Sequence, residues 1–299
     1  MVIPKISEVI QVNRAKTKLY QQYVPFMWSI ANIKDIKLWK MMLAWMNDFK
    51  IVDGCQEITK FHCFFSHLLA ASRDNKFQEN LLTYIDGSIK HLYECVGDDI
   101  QRKITNKVKE ALLDISDHNV TKVSNPAYLN TLAELLYVDN AIRKLPQEYV
   151  LTQMDAPLGN GKDADYYFHR EDDNADIYFD VLNIHGIDLR KIKSSDDLYQ
   201  FIRNRIQEKI KDKTKNLSNI DIDYYEIKGI KSEFYVVPIV WSEACTLVPY
   251  ANAFESLERI GVSGMVFSLM SQRQRPSGDY AFSMETMANI ISRWKEDNL

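Results

Sequence analysis

The sequence predicts an α+β protein, with an all-α N-terminal half followed by an α/β half built on a mixed central sheet. Three observations predict it. Glycine and proline number only 10 and 8 in 299 residues, about half the usual share, which disfavours turn-dense sandwiches and barrels. From Ile6 to Ile115 apolar residues recur at three and four, the period of a buried helix face. After Asn125 short alternating or continuous apolar runs take over, as strands require.

At ~150 residues per domain the length suggests two domains. Hydrophobic residues are 46% and charged residues 26%, a globular balance that excludes a disordered chain. The net charge is -4, so no global basic field draws the chain to nucleic acid or anionic lipid, and such contacts must be local. Residues 1–125 carry 17 Lys/Arg against 14 Asp/Glu, and residues 126–299 carry 20 against 27. Four cysteines without a Cys-x-x-Cys pair indicate neither a zinc knuckle nor a disulfide framework. No apolar run approaches the ~20 residues of a membrane span, and Met1 to Val12 lacks the order of a signal peptide. A cytoplasmic protein with no membrane association is expected.

In the first half, Ile36, Trp39, Met42, Leu43 and Met46, and then Phe61, Phe64, Phe65, Leu68 and Leu69, give helical core patterns. Breaks are expected near Asp53-Gly54, Asp86-Gly87 and Gly97-Asp98, with an amphipathic helix resuming over Lys103 to Ile115. His62 and His67 are five apart, off the shared face a metal pair needs, so a structural role is expected. The aromatic and Met richness at Phe26, Met27, Trp28, Met41, Met42, Trp45 and Met46 reads as core, with a groove for a protein partner as the alternative. The polar stretch Asp117 to Ser124 marks the boundary, giving a helical domain over 1–117 and an α/β domain over 118–299.

Asn125-Pro126 offers a cap and a first-turn proline for a helix from Ala127 to about Arg143. Glu148 to Met154 alternates as a strand, residues 157–161 form a loop, and Asp163 to His169 returns as the second arm of a hairpin. Asp176 to Ile184 is apolar on both faces and so a central strand. Ser195 to about Lys215 is a long amphipathic helix that crosses the sheet. Phe234 to Trp241 is another buried strand, which Pro238 demotes towards an edge or a bulge. Gly264 to Met270 adds a strand and Ser283 to Trp294 a closing helix.

Three carboxylates occupy telling places: Glu134 inside a helix, Asp165 at the start of a strand, and Asp180 in the middle of the central one. An ionised carboxylate in a sheet core costs several kcal/mol, of order, unless it is paired or bound to a cation. Period-two alternation puts Tyr178, Asp180 and Leu182 on one face, so Asp165 and Asp180 are expected to converge. Oxygen-only ligation of that kind suits Mg²⁺ or Mn²⁺.

At these residues the chain resembles the PD-(D/E)XK nuclease superfamily, whose restriction-endonuclease-like core runs helix, three-strand meander, helix, strand. The resemblance covers about residues 120–242. It assigns Glu134 in Leu132-Ala-Glu-Leu-Leu136, Asp165 in Lys162-Asp-Ala-Asp-Tyr166, and Asp180 in Asp180-Val-Leu182, as catalytic and metal-binding acids. The family's lysine falls on Leu182, and no proline precedes Asp165. In some members a basic residue of the following helix takes over that role. Arg205, Lys209 and Lys213 lie on one i, i+4 ridge here, and Lys209 is the first candidate; a solvated face is the plain alternative. Asn183, His185 and Asp188 are further candidate donors.

Gly159-Asn-Gly-Lys162 has no Ser/Thr after the Lys and is no P-loop; Gly261-Val-Ser-Gly264 is no nucleophile elbow. The leading expectation is a divergent metal-dependent nuclease, a phosphodiester hydrolase using Mg²⁺ or Mn²⁺, with weak or lost activity. The alternative is a catalytically inactive nuclease-fold protein that binds nucleic acid or a protein partner, and a homodimer stays open.

Overall fold

The computed structural model describes residues 17–33, 64–113, 127–170, 175–185, 191–214, 224–227, 230–243, 247–259, 267–274 and 277–297. It is a mixed α+β chain in which a helical region precedes the sheet. Two compact units divide it: Met1–Leu135 with Gln272–Phe282, and Leu136–Ser271 with Ser283–Leu299. The expected boundary near Asp117 lies outside the described residues, as do the patterned residues from Ile36 to Met46, His62, Cys55 and Cys63.

The first unit holds α1 (Pro25–Ala31), α2 (Phe64–Ala71), α3 (Lys76–Glu94), α4 (Asp98–Leu113) and the start of α5 (Ala127–Lys144). Pro25 opens α1 in the position where a missing N–H costs nothing. The expected break at Asp86-Gly87 does not occur, because α3 runs through both residues. Asp86 instead caps another helix, accepting the N–H groups of Phe26 at 3.2 Å and Met27 at 2.8 Å. Burial pushes its carboxyl above the ordinary range, against those two bonds. His67 is structural, as expected. Its Nδ1 lies 2.7 Å from Gln78 Oε1 and its Nε2 2.7 Å from the Tyr128 hydroxyl, and burial lowers its pKa to about 4. The described members of the aromatic and Met-rich stretch pack inward, as the core reading expects: Met27 is buried, Trp28 stacks on Tyr20, and Phe26 meets Tyr93 edge to face.

The second unit is built around β1 (Tyr149–Pro157), β2 (Asp163–Arg170), β3 (Ala175–His185), α6 (Ser195–Thr214), β4 (Tyr224–Ile227) and β5 (Ile230–Glu243). It continues through α7 (Ala251–Arg259), β6 (Phe267–Gln274), β7 (Tyr280–Thr286) and α8 (Met287–Asp297). The sheet order is β1-β2-β3-β5-β6-β7, with β4 paired to β5; the residues of β6 and β7 between 272 and 282 count with the first unit. β1, β2 and β3 form an antiparallel meander. The α6 crossover then returns the chain parallel to β3, pairing Asp180 with Val236 and Leu182 with Pro238. A crossover helix is what a parallel neighbour needs.

Pro238 is therefore in a central strand, not at an edge. β4 pairs with residues 230–233 of β5 and β6 with residues 239–243. At Pro238 the flank away from β3 thus has no described ladder from which a donor could be missed. The closing helix starts later than expected, since Ser283 to Thr286 finish β7. One core cluster joins Tyr178, Leu182 and Ile184 of β3 to Leu198, Ile202 and Ile206 of α6 and Phe234, Val236 and Val240 of β5. On the other face Phe179 packs against Tyr137, Phe168 and Tyr235.

Candidate functional site

Alternation along β3 puts Asp180 between Tyr178 and Leu182, on the face that α6 covers. The helix buries Leu198, Ile202 and Ile206 against that face. Lys209 and Lys213, one turn apart, come together over Asp180. Lys209 Nζ is 2.7 Å from Asp180 Oδ1 and Lys213 Nζ 2.6 Å from Oδ2. The carboxylate has 0% exposure, whereas the lysine side chains keep 29% and 16%. These are ion pairs by distance, not well-aligned hydrogen bonds. Arg205, the third residue of the ridge, places its guanidinium over the Phe201 ring.

The hairpin loop between β1 and β2 ties this end of the helix down. Gly159 and Gly161 take positive φ of 80° and 82°, which glycine adopts without steric cost, and Leu158 N–H donates to the Lys162 carbonyl across the turn. Asn160 Nδ2 donates to the Lys213 carbonyl at 2.8 Å. Lys213 also donates to the carbonyl of Asp163. Lys162 Nζ spans both oxygens of Asp212 at 2.8 and 2.9 Å. That hydrogen bond, with the charges of Lys162, Lys213 and Lys209, holds the Asp212 carboxyl below its ordinary range.

The other expected site residues have different partners. Asp165 Oδ2 accepts the Val181 N–H at 2.7 Å. The described β2–β3 ladder ends at Tyr166 opposite Phe179, so the Asp165 side chain supplies the next acceptor beside Asp180. Glu134 belongs to the first unit, where it pairs with Lys107 at 2.8 Å, both side chains largely buried. Leu182 is buried in the core. Asn183 Oδ1 accepts the Trp241 indole N–H at 3.0 Å. Asp188 and the His185 side chain lie outside the described residues.

A divalent cation fits this arrangement poorly. Both oxygens of Asp180 face ammoniums, one oxygen of Asp165 holds a backbone N–H, and Glu134 is held by Lys107. At an effective dielectric of ~20 each ammonium would repel a divalent ion 4 Å away by about 8 kcal/mol. Among the described residues no group of three or more His, Cys, Asp or Glu side chains gathers as a metal site. What the arrangement does chemically is hold two partly exposed cations over one buried anion, with the exposed Lys162–Asp212 pair close by.

Sequence reasoning missed a second polar group on this face. Asp176 is buried and its Oδ1 lies 2.8 Å from both the Tyr167 hydroxyl and His169 Nδ1. Tyr167 stacks on Tyr178; burial first, then the bond to Asp176, raises the Tyr167 phenol, and burial with the Asp176 charge raises Tyr178 to about 12. The available signal was the period-two spacing of Asp176, Tyr178 and Asp180 on one strand. No family model, no curated protein and no solved structure matches this chain.

Proposed function

We propose that this chain is a catalytically inactive protein with a restriction-endonuclease-like second unit, which binds the phosphate backbone of nucleic acid and does not hydrolyse it. The observation that carries this reading is the Lys209–Asp180–Lys213 arrangement, where two ammoniums neutralise the acid that metal-dependent hydrolysis would need. A cation excess on a partly exposed helix end attracts phosphate. Residues 203–213 carry five basic against two acidic side chains, so the attraction is local in a chain whose net charge is -4.

One observation favours the second reading, a divergent Mg²⁺- or Mn²⁺-dependent nuclease. Lys209 stands 2.7 Å from Asp180, as a helix-borne replacement for the lysine absent at Leu182 would. Such a residue would stabilise charge developing on a phosphate, an effect worth ~10²–10³ in rate per donor.

Fluorescence anisotropy with labelled single- and double-stranded DNA and RNA separates the two, alongside cleavage assays in Mg²⁺ and Mn²⁺. The expected result is salt-dependent binding without cleavage. Removing Lys209 should weaken binding across sequences and lower the salt slope by about 1. Cleavage lost in Asp180→Ala would reverse the choice, and absence of binding at low salt would reject the nucleic-acid role.

A further inference from the structure

The helical unit carries a pair of side chains that phosphate binding at α6 does not use. α3 turns Leu81, Ile85, Ile89 and Leu92 into the core, while His91 and Cys95 stand four apart at its end, where side chains are neighbours on the helix surface. Cys95 is a free, exposed cysteine, and its Sγ lies 3.5 Å from His91 Nε2. From this geometry we infer that His91 and Cys95 form a two-residue site for a soft divalent cation of the Zn²⁺ class.

The spacing of the two atoms matches the ion. Zn²⁺ holds a thiolate sulfur at ~2.3 Å and an imidazole nitrogen at ~2.0–2.1 Å, so a tetrahedral angle between them sets sulfur and nitrogen about 3.5–3.6 Å apart. Sγ and Nε2 already stand at that separation, and an ion enters between them with little rearrangement. The backbone holds the pair in place, because Cys95 is the C-cap of α3 and its N–H is shared between the carbonyls of His91 and Leu92 at 3.1 and 3.2 Å. A helix C-terminus carries about half a negative charge, which favours a cation. The adjacent exposed pair, Lys90 with Glu94, adds no net charge.

Ligand type selects the ion. Thiolate with imidazole suits Zn²⁺ and its soft neighbours, whereas Mg²⁺ and Mn²⁺ call for oxygen. Binding releases the thiol proton, one per ion, and moves no electron. Among the described residues no group of three or more His, Cys, Asp or Glu side chains gathers as a metal site, so water fills the two remaining positions. The affinity should accordingly fall below that of a closed four-ligand site.

The test uses Co²⁺ as the spectroscopic stand-in for Zn²⁺, titrated into the reduced full chain. The readout is the thiolate-to-cobalt charge-transfer band in the near ultraviolet, followed by its displacement with Zn²⁺. Wild type should show a band that Zn²⁺ removes and Mg²⁺ does not. Cys95→Ser should lose the part of the band owed to this site. His91→Gln should weaken Co²⁺ binding by at least ~10-fold, the smallest loss expected even from an outer-shell partner. Both residues are on the helix surface, and circular dichroism confirms that the variants are folded. A band of unchanged intensity in Cys95→Ser, or no band in wild type, would overturn the inference. So would unchanged affinity in His91→Gln, which would leave a bare thiol as the ligand. Oligonucleotide binding should be the same in all three proteins, so its loss would count against the phosphate-binding reading alone.

Discussion

At the scale of single residues, Asp180 behaves as a buried charge compensated on both sides. Removing one member of such a group strands the others, a loss of ~3–5 kcal/mol in full burial, and less here because both lysines are partly exposed. Asp180→Asn should therefore lower stability by about 2 kcal/mol, while Asp180→Leu with Lys209→Met and Lys213→Met should come out near neutral. Urea melts at pH 7 check both, and an Asp180→Asn protein as stable as wild type would mean the ammoniums repel each other little. His67 gives a pH dependence. Burial depresses its folded pKa from 6.5 to about 4, so its stability contribution is present above 6.5 and is lost as pH falls towards 4. Between pH 7 and 5 the loss is about 2 kcal/mol. His67→Gln should flatten that slope; an unchanged slope in urea titrations would remove His67 as its source. Asp86 has the opposite sign. Its raised folded pKa makes its contribution most favourable below the ordinary 3.8, fading as pH rises through the folded value.

At the scale of elements, the two kinds of glycine here have opposite consequences. Gly87 sits in the interior of α3 with open space where a Cβ would go. Gly87→Ala should stabilise the protein by about 0.5–1 kcal/mol through helix propensity and a less disordered unfolded chain. Gly161 also has open space, but its φ is +82°. Gly161→Ala should cost ~1–2 kcal/mol from backbone conformation alone and loosen the loop that meets the end of α6. Thermal melts of the two variants should move in opposite directions, and equal shifts would show that context overrides both terms. The Lys162–Asp212 pair is half exposed, so its loss should matter by less than about 1 kcal/mol and less still in high salt.

For the whole molecule, the balance between a negative chain and a basic helix end sets the expected behaviour. No described helix is long and apolar enough to cross a membrane. The proposed nucleic-acid binding, confined to one helix end, should be modest in affinity with a small but measurable salt slope, because each neutralised phosphate contributes only about 0.9 to the log–log slope for duplex DNA. Titrations between low and physiological salt measure it. A flat salt response would place binding elsewhere than on the α6 lysines.

The sequence by itself determined the α+β class, the order α5, β1, β2, β3, α6 and β5 without the short β4 between the last two, and the two faces of β3, because those depend on local periodicity that reads directly from neighbouring residues. It also marked Asp180, since an acid in an apolar strand requires a partner, while Lys209 came from the nuclease resemblance, as a stand-in for the lysine absent at Leu182. Tertiary structure alone decided what that partner is. Asp180 and Lys213 are 33 positions apart in the sequence, and their meeting depends on how far α6 runs before its end is tied to the β1–β2 loop. The same holds for Asp165, whose carboxylate replaces a strand's backbone acceptor, for Asp86, which caps a helix 59 residues away, and for Pro238, tolerated in a central strand. Hydrogen bonds and ion pairs over such separations follow from register and helix placement, which a period in the sequence does not encode.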